Sequence, residues 1–131
     1  MVDKTGFEAP GCENGETKKI TFQGKEKTIL AFFPGAFTET CTKEMTVFRD
    51  NLNKFNKLGA KVIGISVDTP FALKEFAEQN NFDFTLVSDT DKQIIENYEV
   101  KTMIPDLEYE IATRAVFIIQ KGEIIYSEVL D

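Results

Sequence analysis

The chemistry in this chain centres on one cysteine. Cys41 stands in the segment Phe33-Pro34-Gly35-Ala36-Phe37-Thr38-Glu39-Thr40-Cys41-Thr42-Lys43-Glu44-Met45, where an apolar run stops at Pro34-Gly35 and helical periodicity begins near the cysteine. A cysteine in the first turn of a helix lies among unpaired N–H groups at the positive end of the helix dipole, which favours the nucleophilic thiolate. Thr38, three residues earlier, can aim a hydroxyl at the sulfur, accepting from the protein and donating to sulfur or to a bound oxygen. The competing reading of Cys41 is a small, buried, inert hydrophobe.

The elements that must position this segment follow from the pattern around it. Thr28 to Phe33 is a short apolar run, the mark of a buried central strand. Met45, Phe48, Leu52, Phe55 and Leu58 recur at helical spacing up to Gly59, a C-terminal cap. Lys61 to Val67 and Phe84 to Val87 are predicted as further buried strands. Thr69-Pro70 opens a helix to about Gln79, and Asp91 to Tyr98 forms a short one. Ala115–Ile119 and Glu123–Val129 flank the hairpin turn Lys121-Gly122. Residues 1–19 are polar and turn-rich and read as a loop or the start of a hairpin, and Ile20–Phe22 as a short edge strand. The sum is an α/β fold with flanking helices on a central mixed β-sheet, and 131 residues make it one domain, residues 1–131. An open sheet of this kind carries its site at the strand C-terminal ends, where Cys41 falls.

Composition removes several classes of function. There is no histidine, so Ser-His-Asp and Cys-His catalysis and the usual zinc-hydrolase sites are excluded. Two cysteines make neither a zinc cage nor a disulfide scaffold, and no metal and no cofactor are expected. A net charge of -7 opposes binding to a phosphate backbone, so no nucleic acid partner is expected. No apolar run is long enough to span a membrane, and Met1 to Gly6 lacks the pattern of a leader. The simplest location is cytoplasmic, where thiols are kept reduced.

Pro34, Thr38 and Cys41 match the P-x-x-x-T-x-x-C signature of the peroxiredoxins, and the loop around them resembles that family's peroxidatic loop. The resemblance runs on through FRDNLNKFNKLGAKVIGISVD, through Phe84-Thr85-Leu86-Val87-Ser88-Asp89, and through Arg114-Ala115-Val116-Phe117. The chain resembles the alkyl hydroperoxide reductase and thiol-specific antioxidant type, and is similar to its bacterioferritin comigratory protein-like and one-cysteine members. The resemblance implies a thioredoxin-like fold and an enzyme, a thiol-dependent peroxidase acting on hydrogen peroxide and organic hydroperoxides. Cys41 would be the peroxidatic nucleophile. Pro34 would shield it, Thr38 would hydrogen-bond peroxide and sulfur, Arg114 would be the cation beside the thiolate, and Glu44 would orient that arginine. Position alone leaves other readings open: Arg114 as a surface cation before a strand, and Glu44 as an exposed acid complementing the helix dipole.

The resemblance also implies a thiol electron donor (thioredoxin, glutaredoxin or a glutathione-like thiol) and a homodimer or larger homo-oligomer. Relatives usually continue into a C-terminal helix where this sequence stops at Asp131, so one sheet face is expected to be less covered. Cys12 is the possible resolving thiol. It lies in Pro10-Gly11-Cys12-Glu13-Asn14-Gly15, read as a flexible loop able to approach Cys41, while the family's common resolving positions are empty. A one-cysteine cycle with Cys12 as a bystander is favoured. The alternative function is a peroxide-sensing regulatory protein on the same scaffold.

Overall fold

Thr28–Phe32, strand β3, is buried at every position, as a strand covered on both faces must be. Its side chains divide between two cores. Leu30 and Phe32 join one with Ile63, Ile65, Val87, Ile94, Ile95, Ala115 and Phe117. Ile29, Ala31 and Phe33 join the other with Cys41, Met45, Leu73, Phe76 and Leu86. This period-two division puts one layer on each face of a single sheet.

The computed structural model describes residues 6–130. Of the opening segment Met1 to Gly6, all but Gly6 lies outside the described residues, as does Asp131. Strand β1 (Phe7–Glu13) pairs antiparallel with β2 (Glu16–Phe22). After β3 come helices α1 (Glu39–Asp50) and α2 (Leu52–Lys57), strand β4 (Lys61–Ser66), helix α3 (Pro70–Asn80), strand β5 (Thr85–Ser88) and helix α4 (Gln93–Asn97). A small separate hairpin, β6 (Lys101–Ile104) with β7 (Tyr109–Ala112), precedes β8 (Ala115–Gln120) and β9 (Glu123–Val129). The main sheet runs β2-β1-β5-β4-β3-β8-β9. Strands β3, β4 and β5 are parallel, and β1 and β8 join them antiparallel. The expected α/β architecture with a mixed sheet and flanking helices is therefore present. No helix among the described residues is long and apolar enough to cross a membrane.

Two local expectations are refined, and a hairpin is added. Of the two readings of the N-terminal segment the hairpin holds: Cys12 lies inside β1, not in a loop, and the turn is Asn14-Gly15, whose φ values of 53 and 80 suit a two-residue hairpin. Gly11 is a strand glycine, because a Cβ there would lie 2.3 Å from the Leu86 carbonyl oxygen. The helix after the Cys41 loop begins at Glu39 and breaks at Asn51, whose side-chain amide donates to the Val47 carbonyl at 2.8 Å. Residues 101–112 carry no run of buried apolar side chains, so strands β6 and β7 leave little hydrophobic signal.

Candidate active site

Cys41 is delivered by a short loop across the C-terminal ends of β3 and β4. The Phe33 N–H donates to the Ile65 carbonyl at 3.0 Å, extending β3 by one bond. Pro34 and Gly35 then turn the chain away from the sheet, since proline cannot donate to a ladder. The Ala36 N–H donates to Asp68 Oδ2 at 2.8 Å. Phe37 takes a left-handed backbone conformation, φ 67, and sets its ring edge-on to Phe76 at 5.3 Å between centroids. Thr38 is the N-cap of α1, which makes Cys41 the third helical residue, and its side chain is 2% exposed. Below it, Met45 packs over Gly64, where an added Cβ would lie 3.4 Å from the Met45 sulfur and 2.7 Å from Leu86 Cδ2. That glycine lets α1 lie close on the sheet and sets the depth of Cys41.

Thr38 does not cap the helix with its side chain. Its hydroxyl instead donates to the Gly35 carbonyl at 3.0 Å. The hydroxyl thus donates to the protein instead of accepting from it as expected, because a carbonyl only accepts. The Thr38 lone pairs therefore remain to accept a proton from a bound O–H. The first-turn N–H groups, left without a side-chain cap, remain to donate to a bound oxygen.

Arg114 immediately precedes β8, which pairs with β3 so that Ala115 faces Phe32 across the ladder. Ala115 points into the core opposite Cys41, so strand alternation turns Arg114 towards the Cys41 side, beside Phe33. Its charge acts on Glu44, which lies three residues after Cys41 and so on the same face of α1. Burial pushes the Glu44 carboxyl up to about 7, with Arg114 opposing the shift. Glu44 Oε1 and Arg114 Nε are both buried without hydrogen-bond partners among the described residues. Arg114 thus lies near Glu44 on the side of α1 that carries Cys41, and Pro34 and Thr38 belong to the loop and N-cap that lead into that helix. Glu44 and Arg114 face each other through space rather than through a shared hydrogen bond.

Cys12 joins the same core layer as Cys41 but sits on β1. It pairs with Leu86 in the sheet, Leu86 pairs with Gly64, and Met45 packs over Gly64. Two ladder spacings, roughly 10 Å, therefore separate Cys12 from the strand on which the helix of Cys41 rests. Cys12 is 3% exposed, and burial pushes its thiol up. Both cysteines are free thiols. A flexible approach of Cys12 to Cys41 is replaced by a strand position held on both sides. Clefts of about 330 and 260 Å³ lie at the β2–β4 end of the sheet and over Cys12 respectively, and Cys41 lines neither. A small peroxide has no need of such a volume. The sequence reading passed over Asp68, whose only signal is its place just beyond the C-terminal end of β4, next to the N-cap Thr69.

Known proteins resemble this chain in sequence and in fold. Residues 3–127 match the model of the AhpC/TSA family. The chain is 40% identical to peroxiredoxin Bcp of Escherichia coli over 94 residues, covering 72% of this chain and 60% of that protein. It is 34% identical to chloroplastic peroxiredoxin Q of Populus jackii over 114 residues, 86% of this chain and 52% of the other. The crystal structure of peroxidoxin BcpB from Mycobacterium tuberculosis superposes with a TM-score of 0.80 at 28% identity, covering 95% of this chain and 80% of that one. The chain therefore spans less than two thirds of the length of these curated relatives. The architecture shared with the solved structure is the thioredoxin-like fold anticipated from the motifs.

Proposed function

The chain belongs to the AhpC/TSA family, the peroxiredoxins, and on that premise we propose that it is a thiol-dependent peroxidase reducing hydrogen peroxide and organic hydroperoxides through Cys41. The observation that carries the reading is the buried Cys41 in the first turn of α1, with Thr38 at the N-cap but its hydroxyl turned to Gly35.

The reaction follows from those groups. The Cys41 thiolate attacks the O–H-bearing oxygen of the peroxide. An S–O bond forms, the O–O bond breaks, and the other oxygen leaves with the electron pair and takes a proton, giving water or an alcohol. Cys41 becomes a sulfenic acid. Thr38 accepts from the peroxide O–H, while first-turn N–H groups and the Arg114 guanidinium stabilise charge on the leaving oxygen. Pro34 keeps bulk water off the sulfur. Glu44 sets how much of the Arg114 charge is felt: neutral, it leaves the cation whole, and ionised, it offsets it.

A thiol donor then attacks the sulfenic acid, releasing water, and a second thiol frees Cys41 by exchange. The raised, buried thiol of Cys12 supports a bystander role and hence an external donor of thioredoxin, glutaredoxin or glutathione type. A reducing, cytoplasmic setting suits that cycle. Self-association is part of the same reading: Phe37 beside the site is 50% exposed, and Ile124, Ile125, Tyr126 and Val129 are exposed on edge strand β9.

The test is stopped-flow peroxide consumption with a thiol donor, paired with intact mass after one equivalent of peroxide. Multiple turnovers, abolished by Cys41→Ser, are expected. A single stoichiometric oxidation with no turnover under any thiol donor would replace the enzyme with a peroxide sensor.

A further inference from the structure

The loop leading to Cys41 holds a conformation its own backbone does not favour. Phe37 sits in left-handed space at φ 67, where a bulky residue is an outlier that surrounding structure must enforce. Its ring is half exposed, so contact with Phe76 covers only part of it. Among the described residues, one side chain from elsewhere in the fold hydrogen-bonds to this loop's backbone, the Asp68 carboxylate on the Ala36 N–H.

Asp68 is itself fixed from three directions. Its Oδ2 accepts from the Ser66 hydroxyl at 2.6 Å as well as from Ala36 at 2.8 Å. Its N–H donates to Ser66 Oγ at 3.3 Å. Its carbonyl accepts from the Ser88 hydroxyl at 2.5 Å. Ser66 and Ser88 are buried and face each other at the ends of β4 and β5. The rigid end of the parallel sheet therefore holds Asp68, and Asp68 holds the residue just before the strained Phe37.

We propose that Asp68 is a positioning residue for the peroxide reaction: by holding the Ala36 N–H it keeps Phe37 left-handed and sets Gly35, Thr38 and the first turn of α1 in register around Cys41. It touches neither sulfur nor substrate. Both side-chain contacts are donations into one oxygen, so the role needs an acceptor rather than a negative charge. The inference rests on the peroxidase reading of Cys41.

Two rates on the reduced full chain test it: reaction of Cys41 with hydrogen peroxide, and its alkylation by iodoacetamide, which needs no Thr38. Asp68→Ala is expected to slow the peroxide reaction about ten-fold or more, the scale of a misplaced reacting group, while alkylation is unchanged or faster. Asp68→Asn, which restores an acceptor oxygen, is expected to recover the peroxide rate to within about three-fold of the parent. Full peroxide rate in folded Asp68→Ala, equal loss of both rates, or an Asn variant no better than the Ala variant would overturn the proposal. Hydrogen exchange at the Ala36 amide of the unsubstituted protein gives a readout independent of variant folding and of turnover. Protection is expected, and exchange at the free-peptide rate would overturn the pin. Failure of the peroxidase reading shows separately, as a parent protein whose Cys41 does not react with peroxide.

Discussion

Replacing Glu44 by glutamine removes a carboxyl that the fold holds at about 7 against an ordinary 4.5. Burial is the cause, and the Arg114 charge offsets only part of it. The folded protein therefore binds this proton more tightly than the unfolded chain does. The stability it contributes is fully present below about 4.5 and is lost as the pH rises through about 7. The gap between 4.5 and about 7 corresponds to roughly 3 kcal/mol at about 1.4 kcal/mol per pH unit. Glu44 keeps part of its surface in water, which reduces the effect to on the order of 1–2 kcal/mol. The assay is urea unfolding of the reduced protein and of Glu44→Gln from about pH 5 to about pH 8. Comparing the two at each pH cancels every other titrating group. Glu44→Gln is expected to gain on the parent by about 1–2 kcal/mol across that range, with most of the gain on the acid side of neutrality. Parallel curves across that range would show a carboxyl titrating at or below its ordinary value, whether solvated or directly paired with Arg114, and would refute the reasoning.

Arg114→Ala is expected to lower the second-order peroxide rate by about 10²-fold, roughly 3 kcal/mol of transition-state stabilisation. Arg114→Lys should recover part of it, because a point charge does not reproduce the planar fork; stopped-flow kinetics at one pH decide both. Cys12→Ser is expected to keep full turnover with an external thiol donor, and a Cys12–Cys41 disulfide as the main product of one equivalent of peroxide would contradict the strand geometry. Gly11→Ala is expected to cost about 3 kcal/mol or more in urea unfolding, because its Cβ meets a backbone oxygen that has no rotamer by which to yield.

The Cys41 corner was legible because its residues are named by their chemistry. Pro34 stops a strand, helical periodicity begins near Cys41, and the motif falls on that boundary, so local rules and motif agree. β3, β4 and β5 were legible for a related reason: strands buried on both faces read as unbroken apolar runs. β1 was legible only as one of two readings, the start of a hairpin, because Pro10, Gly11 and Asn14-Gly15 are turn formers by type. Its place inside the sheet, with Gly11 passing the Leu86 carbonyl, depends on a contact between residues far apart in the chain. The direction of the Thr38 hydrogen bond was hidden likewise, since it depends on where the Gly35 carbonyl points once the loop has turned. Asp68 was invisible because its partner Ala36 shows only a backbone N–H, which any non-proline residue would offer.

The strand order has a consequence for the order in which the protein is made. β3, which leads into the Cys41 loop, lies between β4 and β8, and β8 is synthesised about eighty residues after it, the separation of a long-range contact. Arg114 arrives with it. A nascent chain that has emerged only as far as α3 already carries Cys41, Thr38 and Asp68, but its central strand has one open edge. Pairing across so long a separation is slow to form. On the reading proposed above, Cys41 meets the Arg114 guanidinium only once β8 has paired with β3.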